Sequence, residues 1–402
     1  MTLPRRNFVF LSQVYLPDPA ALGQHLADAA EELARRGHAV VVMTADRGFD
    51  DPSQKYPSRE ILNGVDVRRL PFGSFGKSSI AVRLASGALL MIQEVIAGVT
   101  MRKIDTVVVS TSPPLGPIAA VALSRLKGVP LKYWPMDVNP DQMVALGKVG
   151  RESMLVKVFD WMNRVVLRRA SSVVTLDDMM AGLLGAKTDI AGRVSVVRPW
   201  AADEPDAAVT RENNSFRAAH GFGDKVVVMY SGNHALSHPL TTILQAARRL
   251  TDDEHLLLAF VGGGVGKEEV DAETGSNIRS IPYQDRSELR QSLSAADVHL
   301  VSIGNAMPGI VHPSKIYGAM AMGRPILLLG PSGNPIADLL DRDDIGWRVS
   351  HGDVDGAEKI LREISAASPA ELKAKGDRAR RLLDAIGSRE VSIGRVCDIL
   401  ER

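Results

Sequence analysis

Along the chain, short aliphatic and β-branched runs alternate with stretches in which apolar residues return every three or four positions. That is the pattern of βα units building parallel sheets with helices on both faces. Phe8–Leu11 reads as a buried strand, Leu22, Leu26, Ala29 and Leu33 as the apolar face of a helix stopped by Gly37, and Ala39–Met43 as the next strand. Thr106–Ser110, Pro130–Trp134, Ser172–Thr175 and Val194–Arg198 continue the series and complete one doubly wound domain. From Pro199 to Ser215, with Pro205, several acidic residues and Asn213-Asn214, the period is lost and a linker is predicted. The pattern then restarts with strands at Lys225–Tyr230, Leu256–Val261, Asp297–Val301 and Pro325–Leu329, and with a helix whose Leu240, Ile243, Leu244, Ala247 and Leu250 share one face. The prediction is an α/β protein of two Rossmann-like domains, residues 1–198 and 216–385, joined through 199–215. Ligands bind at the carboxyl ends of such sheets, so the active site is expected in a central cleft that both domains face.

Composition narrows the classes. In 402 residues, 48 Lys and Arg meet 47 Asp and Glu and 45% of positions are apolar, which argues against a disordered chain and against a dedicated nucleic-acid binder. The balance is uneven along the chain: residues 1–200 carry a net +7 and the remainder −6, so the first half could face an anionic surface or acceptor. Cys397 is the single cysteine, which excludes an internal disulfide and a cysteine metal site and fits a cytoplasmic location. The apolar run after the basic start, Met1 to Arg6, stops at Leu11 and meets Pro17 and Asp18, so neither a signal peptide nor a membrane span is expected there. Ile80–Met101 is the most apolar long segment, but Arg83 and Glu94 interrupt it.

Candidate chemistry gathers at helix starts. In His312-Pro313-Ser314-Lys315, Pro313 suits a first helical position and Gly323 a stop, so a helix is predicted over 313–322 with Lys315 in its first turn. A lysine there opposes the helix dipole unless an anion sits opposite, which points to a phosphate site. Ser231-Gly232-Asn233 follows a strand and leads to Pro239, so Ser237 or His238 is expected to cap the next helix and His238 to donate to a phosphate. His234 and His238 lack acidic or cysteine companions at useful spacing, and no metal site is expected. Gly23, inside a helical pattern, marks close approach to a ligand or to the other domain, with helix packing alone as the alternative. Asp137, in the loop after Pro130–Trp134, is the candidate carboxylate at the reacting centre. Gly262–Lys267 fails as a phosphate-binding P-loop, because Val261 and Glu268 stand where glycine and Ser/Thr are required, and it fails the dinucleotide fingerprint as well. Asp353-Val354-Asp355 reads as an exposed polar turn.

With Pro17-Asp18-Pro19-Ala20-Ala21-Leu22-Gly23-Gln24, Arg36-Gly37-His38, Thr111-Ser112-Pro113-Pro114, Tyr230-Ser231-Gly232-Asn233-His234, Val261-Gly262-Gly263-Gly264 and Pro313-Ser314-Lys315-Ile316-Tyr317 in this order, the chain resembles the GT-B glycosyltransferases of family 4. Within that family it is most similar to the bacterial branch making exopolysaccharides, O-antigens and colanic-acid-like polymers. The resemblance implies retaining transfer of a sugar from a nucleotide sugar, often a UDP-sugar, with no cofactor or required metal. It also implies that the last helix, about 386–402, packs back on the first domain. Carried over, Gly23 would lie near the donor phosphates and sugar and Asp137 beside sugar and acceptor. Ser231, Gly232, Asn233 and His238 would line the diphosphate, and Tyr283 and Gln284 the nucleobase. Lys315 would neutralise the leaving diphosphate, with Gly309, Ile310, His312 and Ser314 beside it on the substrate.

The chain departs from the family at two glutamates spaced seven apart, whose positions hold Ile310 and Gly318, and at an Arg and Lys whose places fall to Asn233 and His238. A sugar-nucleotide epimerase of the same fold and an inactive nucleotide-sugar-binding protein are the competing readings. Ile80–Met101, with Lys77, Arg83, Arg102 and Lys103, reads either as a core helix or as a peripheral contact with the inner face of the cytoplasmic membrane, where a polyprenyl-diphosphate-linked acceptor would be met.

Overall fold

In the computed structural model, which describes residues 4–18, 20–49, 51–73, 80–201 and 208–402, contacts divide the chain into two units. Unit 1 runs through residue 198 and takes in Gly309–His312 and Glu390–Arg402; unit 2 is 199–308 and 313–389. The predicted second domain thus gives up four internal residues, 309–312, to unit 1. Met1, Pro19, Lys77 and Pro205 lie outside the described residues.

In unit 1 the strands are β1 (Asn7–Leu11), β2 (Ala39–Ala45), β3 (Arg59–Leu62), β4 (Val65–Leu70), β5 (Thr106–Val109), β6 (Leu131–Tyr133), β7 (Ser172–Thr175) and β8 (Val194–Val196). They form one sheet in the order β3-β4-β2-β1-β5-β6-β7-β8, antiparallel between β3 and β4 and parallel elsewhere. Helices cover both faces, so Phe8, Val9, Phe10 and Leu11 are all buried, as unbroken apolar strands require. The β3–β4 hairpin escapes an apolar-run reading because Arg59, Glu60, Asp66, Arg68 and Arg69 interrupt its apolar positions. Its turn, Asn63-Gly64, has φ of 47° and 86°, the left-handed pair that a two-residue hairpin needs.

The apolar segment after residue 79 is a helix, Ile80–Thr100. Ser86, Leu90 and Glu94 are buried on its inner side, while Leu89, Ile92, Ile96 and Val99 are exposed. Both Glu94 carboxylate oxygens are buried without a partner among the described residues, and burial pushes this carboxyl well above the usual range. No helix of the described residues is long and apolar enough to cross a membrane. The last helix, Arg389–Glu401, brings Glu401 to within 2.9 Å of His38 Nε2 and of Arg36 Nη1, and buries Cys397.

Unit 2 holds β9 (Val226–Ser231), β10 (Leu256–Val261), β11 (Ile278–Ile281), β12 (Val298–Ser302), β13 (Ile326–Leu329) and β14 (Gly346–Val349), all parallel, in the order β11-β10-β9-β12-β13-β14. Successive residues of β9 feed opposite cores: Val228 and Tyr230 pack with Leu244, Leu258 and Leu361, and Val227 and Met229 with Phe216 and Phe222. The edge strands β11 and β14 were not predicted, because Arg279, Ser280 and Arg348 dilute their apolar pattern. Strand order reverses at β9, and its carboxyl end is therefore the ligand crevice expected of a doubly wound sheet. Asp353 is a helix cap rather than part of an exposed turn: its carboxylate accepts from the Gly356 N–H at 2.9 Å at the start of Val354–Ala366.

Candidate functional site

The unit 2 groups gather where β9, β10 and β11 end. Ser231 closes β9, and the chain turns through Gly232 at φ 123°. Gly232 N–H donates to the Val261 carbonyl, and a Cβ on Gly262 would stand 2.1 Å from the Gly232 oxygen, so the two loops interlock only through glycine. Asn233 is exposed; its carbonyl accepts from the Tyr230 hydroxyl at 2.7 Å, and its side-chain oxygen occupies the space a Cβ on Gly264 would need. The exposed Tyr283 ring, in the loop after β11, lies against Gly263, and Gln284 Nε2 donates to the Pro282 carbonyl. The Lys267 ammonium donates to the carbonyls of Phe260 and Ile281, which commits it to closing the loop rather than to holding a phosphate.

The helix predicted over 313–322 spans Lys315–Ala321. Ile316 and Tyr317 donate to the Pro313 and Ser314 carbonyls, three residues back, so the start is a tight 3₁₀-like turn and Lys315, not Pro313, is the first helical residue. Ser314 occupies the N-cap position without a side-chain cap. The Lys315 side chain crosses Gly232, where a Cβ would meet its Cε at 2.8 Å, and sets its ammonium 4.9 Å from the centre of the Tyr230 ring. Among the described residues it has no hydrogen-bond acceptor and no carboxylate, and burial pulls its pKa down to about 8.

Neither Ser237 nor His238 caps a helix as predicted: the next helix is Thr241–Arg248, with Leu240 at the N-cap. Pro239 stops short of it, and His238 instead gives its Nδ1–H to the Ser302 carbonyl at 2.7 Å. Burial, then the nearby Lys315, brings the His238 pKa down to about 3; burial, then Lys267, brings that of His234 to about 4. Both rings are therefore neutral, and His238 presents Nε2 as an acceptor in the unliganded state. Two neutral histidines beside a depressed lysine mark a pocket short of negative charge, which an anion would relieve.

Unit 1 arranges the remaining candidates differently. Gly23 sits in the helix Ala21–Arg35, and its close approach is to the backbone of Val14 and Tyr15, 3.3 to 3.4 Å from a would-be Cβ, which is packing within its own unit. Asp137 follows β6 and forms an antiparallel bridge with Val311; next to it the Val138 N–H donates to the Ile310 carbonyl at 2.9 Å. Gly309, at φ 76°, backs onto Met179, and His312 Nδ1 lies 2.7 Å from Asp177 Oδ2, both side chains almost fully buried. Asp177 also caps the helix Asp178–Lys187 by accepting from the Met180 N–H at 2.7 Å. Burial pushes the Asp177 carboxyl up, but the hydrogen bond and charge of His312 with the Met180 and Met179 N–H groups outweigh it and hold the group below the usual range.

Asp177 and Tyr230 were missed by sequence reasoning. Asp177 carried a readable signal, an aspartate between the strand Ser172–Thr175 and a following helix; Tyr230 opens the Tyr230-Ser231-Gly232-Asn233-His234 motif, but nothing local places its ring beside Lys315. Among the described residues no three His, Cys, Asp or Glu side chains cluster as metal ligands.

Residues 21–200 match the family model of the glycosyl transferase 4-like domain. A Pseudomonas aeruginosa protein named glycosyltransferase WbjE is 25% identical over 267 residues, 65% of this chain and 66% of that protein. WcaI of Escherichia coli strain K12, named a colanic acid biosynthesis glycosyl transferase, is 26% identical over 332 residues, 77% of this chain and 79% of WcaI. Among solved structures, sucrose-phosphate synthase from Thermosynechococcus elongatus superposes with a TM-score of 0.77 at 15% identity over 98% of each chain. Anabaena HepE in complex with UDP-glucose follows at 0.71 and 15% over 98% of this chain and 99% of that one, and WaaG, a glycosyltransferase involved in lipopolysaccharide biosynthesis, at 0.70 and 17% with the same coverage.

Proposed function

We propose that this chain, a glycosyltransferase with a glycosyl transferase 4-like domain at residues 21–200 and a GT-B fold, moves a sugar from a nucleotide diphosphate sugar to a glycan or lipid-linked acceptor in surface polysaccharide synthesis, with retention at the anomeric carbon. The observation that carries the reading is the Lys315 ammonium, enclosed over Gly232 with no carboxylate beside it among the described residues. A departing UDP diphosphate would supply the charge this pocket lacks; HepE, of the same fold, is known in complex with UDP-glucose. Lys315 then stabilises the negative charge that grows as the glycosidic bond breaks. Ser231, Gly232 and Asn233 line the diphosphate, and His238 joins them once an anion raises its pKa. Tyr283 and Gln284 flank the base. Asp137 faces the sugar and acceptor, Gly23 the donor, and Gly309, Ile310, His312 and Ser314 complete the substrate contacts. No metal is assigned a part.

The acceptor is proposed to be met at the inner face of the cytoplasmic membrane. The exposed Leu89, Ile92, Ile96 and Val99 on the helix Ile80–Thr100, with Arg102 and Lys103 beyond its end, suit a peripheral, salt-sensitive contact.

The test is a thermal-shift screen with UDP, GDP and ADP, followed by product analysis with the matching sugar nucleotide in EDTA. UDP at 100 times its dissociation constant should stabilise by about 2.7 kcal/mol, and transfer should persist with the anomeric configuration kept. No stabilisation by any nucleotide would overturn the reading. A sugar nucleotide epimerised without acceptor would replace it with an epimerase, and binding without turnover would replace it with an inactive binding protein.

A further inference from the structure

The four residues that unit 1 takes from the middle of the second half, Gly309–His312, form a strap over the loop that carries Asp137. One end carries backbone contacts: the Asp137–Val311 bridge and the bond from Val138 N–H to the Ile310 carbonyl. A single antiparallel bridge is weak restraint for a loop, since each net hydrogen bond contributes only about 1 kcal/mol. The other end is held by side chains, His312 Nδ1 on Asp177 Oδ2 at 2.7 Å. This pair is buried, charge-assisted, and anchored on the first turn of the helix Asp178–Lys187 through the Met180 N–H. Gly309 closes against Met179 of the same turn, where a Cβ would stand 3.1 Å from the Met179 Cβ, so the strap lies tight on that helix start. Three residues after His312 along the chain comes Lys315.

We infer that Asp177 is a positioning residue: through His312 it pins the 309–312 strap, and the strap fixes the backbone of the Asp137 loop. The inference rests on the role proposed for Asp137, and it adds a residue that touches neither substrate nor reacting atoms. Asp177 has two separable duties, capping its helix and holding His312. Serine caps a helix about as well as aspartate but is too short to reach the imidazole.

The experiment compares the full-length wild type with Asp177→Ser, His312→Gln and the double variant in two readouts. The first is amide hydrogen exchange over 136–138 and 309–312. Both single variants should raise exchange in both segments while the melting temperature stays within a few degrees, and the double variant should match the singles, because both remove the same pair. Unchanged protection in both single variants would overturn the inference whether or not the protein turns over a sugar nucleotide. The second readout is steady-state transfer. In Asp177→Ser a loosened reacting loop should lower kcat by about 10- to 100-fold with KM for the donor held within about threefold, the pattern of misplaced rather than missing groups. Raised exchange with wild-type kcat would reduce Asp177 to a structural latch and overturn its positioning role. Raised exchange in a protein that releases no nucleotide from any donor would leave the pin standing and remove the proposed activity instead.

Discussion

The two units share one architecture and treat charge at the carboxyl ends of their sheets in opposite ways. Around β9, unit 2 assembles glycine turns, two histidines held neutral and a lysine pulled down to about 8, with no carboxylate paired to that lysine among the described residues. Beyond β6 and β7, unit 1 pairs its buried carboxylate Asp177 with His312 and bonds the Asp137 loop through its backbone. On the proposed reading the difference separates two jobs: one group of residues would be completed electrostatically by an anionic ligand, and the other is already closed by its own bonds.

Removing the incompleteness should break the contrast most severely. Lys315→Ala is expected to lower transfer by a factor on the order of 10² to 10³, measured as UDP release with acceptor present; unchanged turnover would remove the lysine from the mechanism. Titrating it away is milder. Burial favours the neutral amine, so the free protein loses its ammonium as pH rises through about 8. UDP affinity should then weaken by roughly tenfold per pH unit between pH 8 and 10. Lys315→Arg should flatten that slope in calorimetric titrations. Next comes Gly232→Ala, which puts a Cβ 2.8 Å from the Lys315 Cε at a backbone φ of 123°. Displacing the lysine should weaken UDP binding by about tenfold, with the unit 1 loop unaffected by hydrogen exchange. The smallest effect concerns Glu94, the buried acid of unit 1 that has no countercharge and so departs from its unit's habit. Its folded-state pKa is raised, so any stability it retains is present below the ordinary carboxylate value and is lost as pH climbs through the raised one. Glu94→Gln should melt with the wild type near pH 4 and exceed it by about 1 kcal/mol at pH 8, followed by thermal denaturation.

Strands buried on both faces were legible, because Phe8–Leu11 and Leu256–Val261 are unbroken apolar runs and Ser172–Thr175 holds a β-branched centre, Val173-Val174. Edge elements were not: β3, β4, β11 and β14 are only partly buried, and charged residues such as Arg59, Asp66, Arg279 and Arg348 hide the period. At the candidate site, the helix start at Lys315 could be read from its proline, lysine and glycine, though the tight turn delays it by two residues. The return of 309–312 to unit 1 was illegible. No local pattern announces that a segment flanked by one domain's strands and helices binds the other, since that depends on contacts such as His312 with Asp177, 135 positions apart. The same limit explains His238, read as a helix cap from Pro239 when its partner was Ser302, far along the chain.

The closing helix, Arg389–Glu401, sets a schedule for biogenesis. Glu401 meets His38 across 363 positions, and Cys397 comes to rest near the Ala29 carbonyl. A ribosome that has long since released the opening βα units still holds the piece that finishes their surface. The first half therefore waits, incompletely covered, while the whole second half is translated, and protection by a chaperone is most valuable during that interval.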